Sequence, residues 1–232
     1  MSVSSITDEL GSVDFTSIDD LDPSLADGSR SVFDREVPIE IRSETNGNLD
    51  ILSPMMESIR VRVFTHGSDE TFSCIRIELS SETDLFFHNV HSFSLDTFES
   101  FKAEQKLTVD FFEFPGVLIR MLNAIIKDPK IFLAVLSLHA DGTGKLDFIQ
   151  NMDYKYVDLL TLPFKQSEED VIQRQITFRY NSLKQKYAIV QSRLHEMSNT
   201  LKTKNPSLLL QIQKANNGSI QASSGQRKDY RL

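Results

Sequence analysis

Ile59-Arg60-Val61-Arg62-Val63 and, beyond a polar break at His66-Gly67-Ser68-Asp69-Glu70, Ile75-Arg76-Ile77-Glu78-Leu79 decide the fold class. In both runs apolar and charged residues alternate, and a period of two puts every apolar side chain on one face of an extended strand. Val37-Pro38-Ile39-Glu40-Ile41-Arg42 repeats the pattern upstream. The connectors, Glu44-Thr45-Asn46-Gly47-Asn48 and the break just quoted, carry Asn, Gly, Ser and Asp, the residues of short reversals rather than of helical crossovers. Half-buried antiparallel strands follow.

Working downstream, Asp84 to Phe93 reads as a further strand, and Ser94 can cap a short helix through Phe98, Phe101 and Lys102. Leu107 to Phe111 reads as extended. Phe114-Pro115 then opens a second helix with Val117, Leu118, Met121, Leu122, Ile125 and Ile126 on one stripe, stopped by Asp128-Pro129. Ile131–Leu138, Lys145–Gln150 and Val157–Phe164 supply three closing strands. The expected head is α+β: about seven strands in an antiparallel β-sandwich or barrel, with a helix-turn-helix insertion at one end.

Composition frames this head. With 40% hydrophobic residues, 16 Phe and no Trp in 232 residues, the middle of the chain can build a core. The net charge of −8 argues against a phosphate-driven nucleic-acid partner, because such binding needs clustered Lys and Arg. A lone Cys74 permits no intrachain disulfide and suits a reducing cytoplasm. Neither a secretory leader nor an apolar run of membrane-spanning length (~20 residues) is seen, so no membrane insertion is expected. Residues 1–31, rich in Ser, Asp and Gly, read as a disordered acidic tail, residues 32–166 as the head and residues 205–232 as a second disordered tail.

Residues 167–204 read as a helix opened by a Ser167-Glu168-Glu169-Asp170 capping box and ended before Pro206. Ile176, Tyr180, Leu183, Tyr187, Val190, Leu194, Met197 and Leu201 are spaced alternately by four and three, the seven-residue repeat that winds two helices into a coiled coil. The same stripe would also serve an amphipathic helix folded back on the head. Pairing is the expectation, because the head already has two helices to cover its sheet.

Candidate chemistry is sparse. His139-Ala140-Asp141-Gly142-Thr143-Gly144-Lys145-Leu146-Asp147-Phe148-Ile149-Gln150 aligns with the centre of an EF-hand loop, yet His139 and Gln150 stand where that loop needs anionic ligands. A glycine-rich hairpin turn is the expectation there, with a calcium-binding module as a lesser alternative. Gly144-Lys145 lacks the flanking residues of a phosphate loop. His66, His88, His91, His139 and His195 form no metal-ligand spacing, and neither Cys74 nor any serine sits in a nucleophile motif. No enzyme, cofactor, metal or small-molecule substrate is expected.

Phe86-Phe87-His88-Asn89-Val90, the run from Phe98 through Val109-Asp110-Phe111, and Phe114-Pro115-Gly116-Val117-Leu118-Ile119 resemble, in order and spacing, the head of the centriolar cartwheel protein, the spindle-assembly-abnormal protein six family. Asn151 to Leu162 is similar to that family's signature segment, and the resemblance runs from about Val32 to Leu201. It implies a homodimer paired in parallel through the helix, whose heads join neighbouring dimers into rings at the hub of centrioles and basal bodies. It further implies that a bulky side chain on a hairpin tip enters the next head. Tyr154 is the matching position, where most relatives carry Phe. A seam from Ile176 to Leu201 spans only ~40 Å at ~1.5 Å per residue, short for a cartwheel spoke. The chain therefore looks most like the short paralogues of the family, placed in the cytoskeleton at the basal plate or apical complex, with other centriolar, basal-body or apical cytoskeletal proteins as partners. A related alternative is the scaffold family of the DNA-repair ligase, which shares the head-plus-coiled-coil plan.

Overall fold

A computed structural model describes residues 15–43, 55–68 and 71–204. The chain divides into two units, residues 20–179 and a second containing residues 1–19 and 180–232.

In the first unit, β1 (Ser29–Ser43), β2 (Met55–Gly67), β3 (Phe72–Ser81), β4 (His88–Ser94), β5 (Phe132–Leu138), β6 (Thr143–Asn151) and β7 (Tyr156–Gln166) close into a barrel in the order β1-β2-β3-β4-β7-β6-β5. The alternation read in the sequence is the inward face: Val37, Ile39, Ile59, Val61, Val63, Ile75, Ile77 and Leu79 are all buried. Six of the seven seams are antiparallel, as expected. The seventh is parallel, with Glu40–Ser43 of β1 beside Val135–Leu138 of β5. A parallel neighbour needs a long crossover, and everything between β1 and β5 provides it. The β4–β7 seam is short, pairing only Asn89 with Gln166 and Val90 with Lys165.

Gly67 lets β2 turn tightly into β3. Its φ of 124° is unfavourable for other residues, and a Cβ there would lie 2.9 Å from the Phe72 Cα. The turn read at 44–48 lies outside the described residues, as do 69 and 70.

Two helices plug the barrel. α2 (Leu95–Gln105) starts at the expected Ser94, whose hydroxyl accepts from the Thr97 N–H while Thr97 Oγ1 accepts from the Ser94 N–H at 2.8 Å. Lys106, with φ 54°, unwinds its end. α3 (Phe114–Lys127) buries Leu118, Leu122 and Ile125 along one stripe. The four-residue α1 (Thr16–Asp19) lies upstream in the second unit. Leu107 to Phe111, expected to be extended, forms no strand. Its alternation arises because Leu107, Val109 and Phe111 all turn toward the core from an irregular link.

Phe98 is the centre of the plug. It is fully buried and its ring lies 5.0 Å from that of Phe114, 5.5 Å from Phe111 and 5.9 Å from Phe93. The Phe98→Ala substitution should cost ~3–5 kcal/mol in chemical denaturation, since the surrounding rings cannot all collapse into the space. A loss below ~1 kcal/mol would contradict this packing.

The acidic tail expected over residues 1–31 does not extend that far. Pro23–Leu25 forms a 3-10 turn, β1 begins at Ser29, and Ser24 is buried. Apolar content was the wrong signal, because polar bonds order this segment. The Arg62 guanidinium donates to Asp22 Oδ2 (2.5 Å), Ser24 Oγ (2.8 Å) and Glu78 Oε2 (2.7 Å). Arg76 donates to Asp27 Oδ2 at 2.7 Å. Residues 1–14 and 205–232 lie outside the described residues.

α4 (Glu169–Lys204) is one continuous helix. The Ser167 capping box does not form as expected. The helix opens on the Glu168 carbonyl, which accepts from Val171 and Ile172, while the Ser167 hydroxyl shares a 2.7 Å hydrogen bond with His88 Nδ1. In the first unit Ile172 and Gln175 are buried. In the second, Lys186 pairs with Asp19 at 2.7 Å and lies over the Phe15 ring.

Candidate assembly interface

Two surfaces carry the residues singled out in the sequence. The first is the hairpin joining β6 to β7. Asn151 and Tyr156 are its last paired residues, the Met152 N–H donates to the Lys155 carbonyl at 2.9 Å, and Asp153 takes the left-handed φ of 57°. This tight tip leaves no room for Tyr154 to fold inward, and the side chain is 81% exposed. Tyr156, Met152 and Ile131 are also exposed, and the Asn151 N–H donates to the Ile131 carbonyl. An apolar collar thus surrounds the tip, which the sequence did not reveal because Tyr156 falls in a strand and Ile131 at a loop end.

The second surface is the heptad seam of α4. Tyr180, Leu183, Tyr187, Val190, Leu194 and Met197 are exposed, four of them by about two thirds (65–70%), while Ile176 and Leu201 are partly buried. Six large apolar residues on one stripe of a helix, bare to solvent, are more than a stable surface helix needs. The buried positions Ile172 and Gln175 lie off this seam.

The remaining candidates do not converge. The loop at 139–143 is the expected hairpin turn: the His139 N–H donates to the Thr143 carbonyl and Gly142 has φ 80°. The Asp141 carboxylate accepts from the Thr143 hydroxyl (2.6 Å) and N–H (2.9 Å), bonds that lower its pKa. Among the described residues no group of three His, Cys, Asp or Glu could hold a metal ion.

His91 has a structural consequence. Its ring packs edge-on to Phe93 at 4.2 Å, and burial lowers its pKa from 6.5 to about 4. The unfolded chain therefore takes up this proton first as pH falls, and stability declines from pH ~6.5 toward pH ~4. We expect a loss of about 1 kcal/mol between pH 6.5 and pH 5, allowing for partial solvent access. The His91→Phe variant should flatten that slope in urea titrations; identical slopes would contradict the assignment.

Residues 31–164 match the family described as the centriolar protein SAS N-terminal domain, which is more than half of the chain. The chain belongs to this SAS-6 family. No curated protein matches it. Among solved structures, an N-terminal fragment of Leishmania SAS-6 containing parts of its coiled coil is similar at 20% identity, with a TM-score of 0.64 over 78% of this chain and 98% of that one. The N-terminal coiled-coil dimer of C. elegans SAS-6 is similar at 14% identity, with a TM-score of 0.56 over 69% of this chain and 94% of that one. The N-terminal domain of Leishmania SAS-6 alone gives 22% identity and a TM-score of 0.52 over 60% of this chain. At these identities the likeness is one of fold: the SAS-6 barrel head with its plugging helices.

Proposed function

We propose that this SAS-6 family chain is a structural self-assembly protein of the centriole or basal body, or of a related flagellar or apical cytoskeletal structure. Copies pair in parallel through α4, and paired heads join other pairs through the Tyr154 hairpin. The observation that carries this reading is the bare heptad seam on a helix continuous with a family-matching head. Its apolar residues reach burial only against another chain, and their spacing is that of a two-helix seam. The coiled-coil dimer among the similar structures supports a second copy as that chain.

Tyr154 supplies the second contact by its exposure and its place on a rigid tip. Aromatic residues that enter a partner's pocket dominate interface energetics, and a ring presented by a constrained turn loses little entropy on docking. Its hydroxyl must find a partner or stay wet, which sets it apart from the Phe of most relatives. Both contacts work without chemistry at a substrate, in keeping with a structural rather than enzymatic role.

Location is the test. A fluorescently tagged full chain should form discrete foci that coincide with a centriolar or basal-body marker, or with the basal plate or apical complex. Diffuse cytoplasmic or nuclear signal in cells that contain these structures would reject the reading.

A further inference from the structure

Arg62 and Glu78 face each other across β2 and β3, on the side of the sheet that alternation turns away from the core. Charged residues there normally meet water, yet both are buried. The cover comes from two separate parts of the first unit, the 22–27 segment and the opening turns of α4.

Ser24 joins all three parts. Its hydroxyl donates to Glu78 Oε2 at 2.8 Å and accepts from Arg62 Nη2 at 2.8 Å and from Gln175 Nε2 at 2.7 Å. One donor bond and two accepted bonds use the full capacity of a hydroxyl. Around this node, Arg76 donates to Asp27 and to the Ser24 carbonyl, Ser167 donates its N–H to the His88 carbonyl at 2.9 Å, and Arg179 donates to the Ser81 carbonyl at 2.9 Å. The helix start is thus held by directional bonds at Ser167, Gln175 and Arg179, with Ile172 as the buried apolar contact among them.

Buried ion pairs contribute little net stability, because desolvation offsets their attraction; their best attested use is to fix register. Apolar contact alone tolerates sliding and rotation of a helix on a sheet, whereas saturated hydrogen bonds do not. We propose that residues 22–27 are a clamp that fixes the register of the first turns of α4, residues 169–179, on the barrel, with Ser24 and Gln175 as positioning residues.

The test reads geometry within one chain. Cys74 is replaced by Ser, and spin labels are attached at Lys145→Cys on β6 and Thr177→Cys in the first turns of α4, both exposed and both in the first unit, with excess unlabelled chain to isolate intrachain distances. The parent should give one narrow distance distribution. The Ser24→Ala/Gln175→Leu variant should keep the barrel's near-ultraviolet dichroism, at a lower melting temperature because Arg62 and Glu78 lose a buried partner, while its distribution broadens severalfold. Gln175→Leu alone, which leaves the clamp segment and barrel pair untouched, should broaden it in the same direction. An unchanged narrow distribution in both variants would overturn the proposal. Because the readout needs no head-to-head contact, its outcome is separate from that of the assembly reading.

Discussion

Replacing Leu183 and Leu194 by Asp is expected to leave the chain monomeric at every concentration at which the parent would pair. Both positions belong to the seam and are about two thirds exposed (70% and 67%) in the single chain. Pairing would bury them in an apolar interface, where an unpaired carboxylate costs several kcal/mol. Two such sites should weaken association by roughly a thousandfold or more, at ~1.4 kcal/mol per tenfold. A seam of so few heptads is expected to pair weakly, at about micromolar concentration, and has nothing to spare. Gln185→Asp and Gln191→Asp, exposed positions off the seam on the same helix, are the control. They should leave pairing within a few fold of the parent. Equal loss in both variants would mean that charge or helicity, and not the seam, governs association.

Tyr154→Glu is expected to leave dimers intact and stop all growth beyond them. The side chain makes little contact within its own head, so the substitution should change barrel stability by less than ~0.5 kcal/mol. An interfacial aromatic anchor is worth ~2 kcal/mol or more, and a buried charge in its place adds a desolvation cost. Head-to-head affinity should fall at least ~30-fold. Tyr154→Phe should preserve or strengthen growth, because it removes a hydroxyl that must be satisfied in an apolar pocket. Sedimentation across a concentration series checks both. Growth in Tyr154→Glu equal to that of the parent would remove the hairpin from the interface.

The strands were legible because alternation survives wherever one face is buried: Ile59, Val61 and Val63 announce β2 by their spacing alone. Helix α2 was legible from Ser94 and helix α3 from Pro115, local signals that need no tertiary context. Leu107–Phe111 misled because a period of two also appears when an irregular segment points every second side chain at an aromatic cluster. The parallel β1–β5 seam was not legible, since pairing partners far apart in sequence leave no local trace. Ser24 and Gln175 were invisible for a related reason. A Ser in an acidic stretch and a Gln on a charged helix each look like solvent-facing residues, and only the barrel brings them within 2.7 Å of each other. The apolar stripe of α4 was readable throughout, because its spacing belongs to a single element. Tyr154 drew attention only through the family resemblance; its exposure on a tight tip supplies the physical reason it can serve.

The most direct measurement of the assembly claim is sedimentation velocity of the unmodified full chain from nanomolar to high micromolar concentration. Pairing through α4 with joining through the Tyr154 hairpin predicts monomer giving way to dimer, then to species containing even numbers of chains. A single monomeric species across the whole range, or growth through odd-numbered species without a dimer stage, would contradict it.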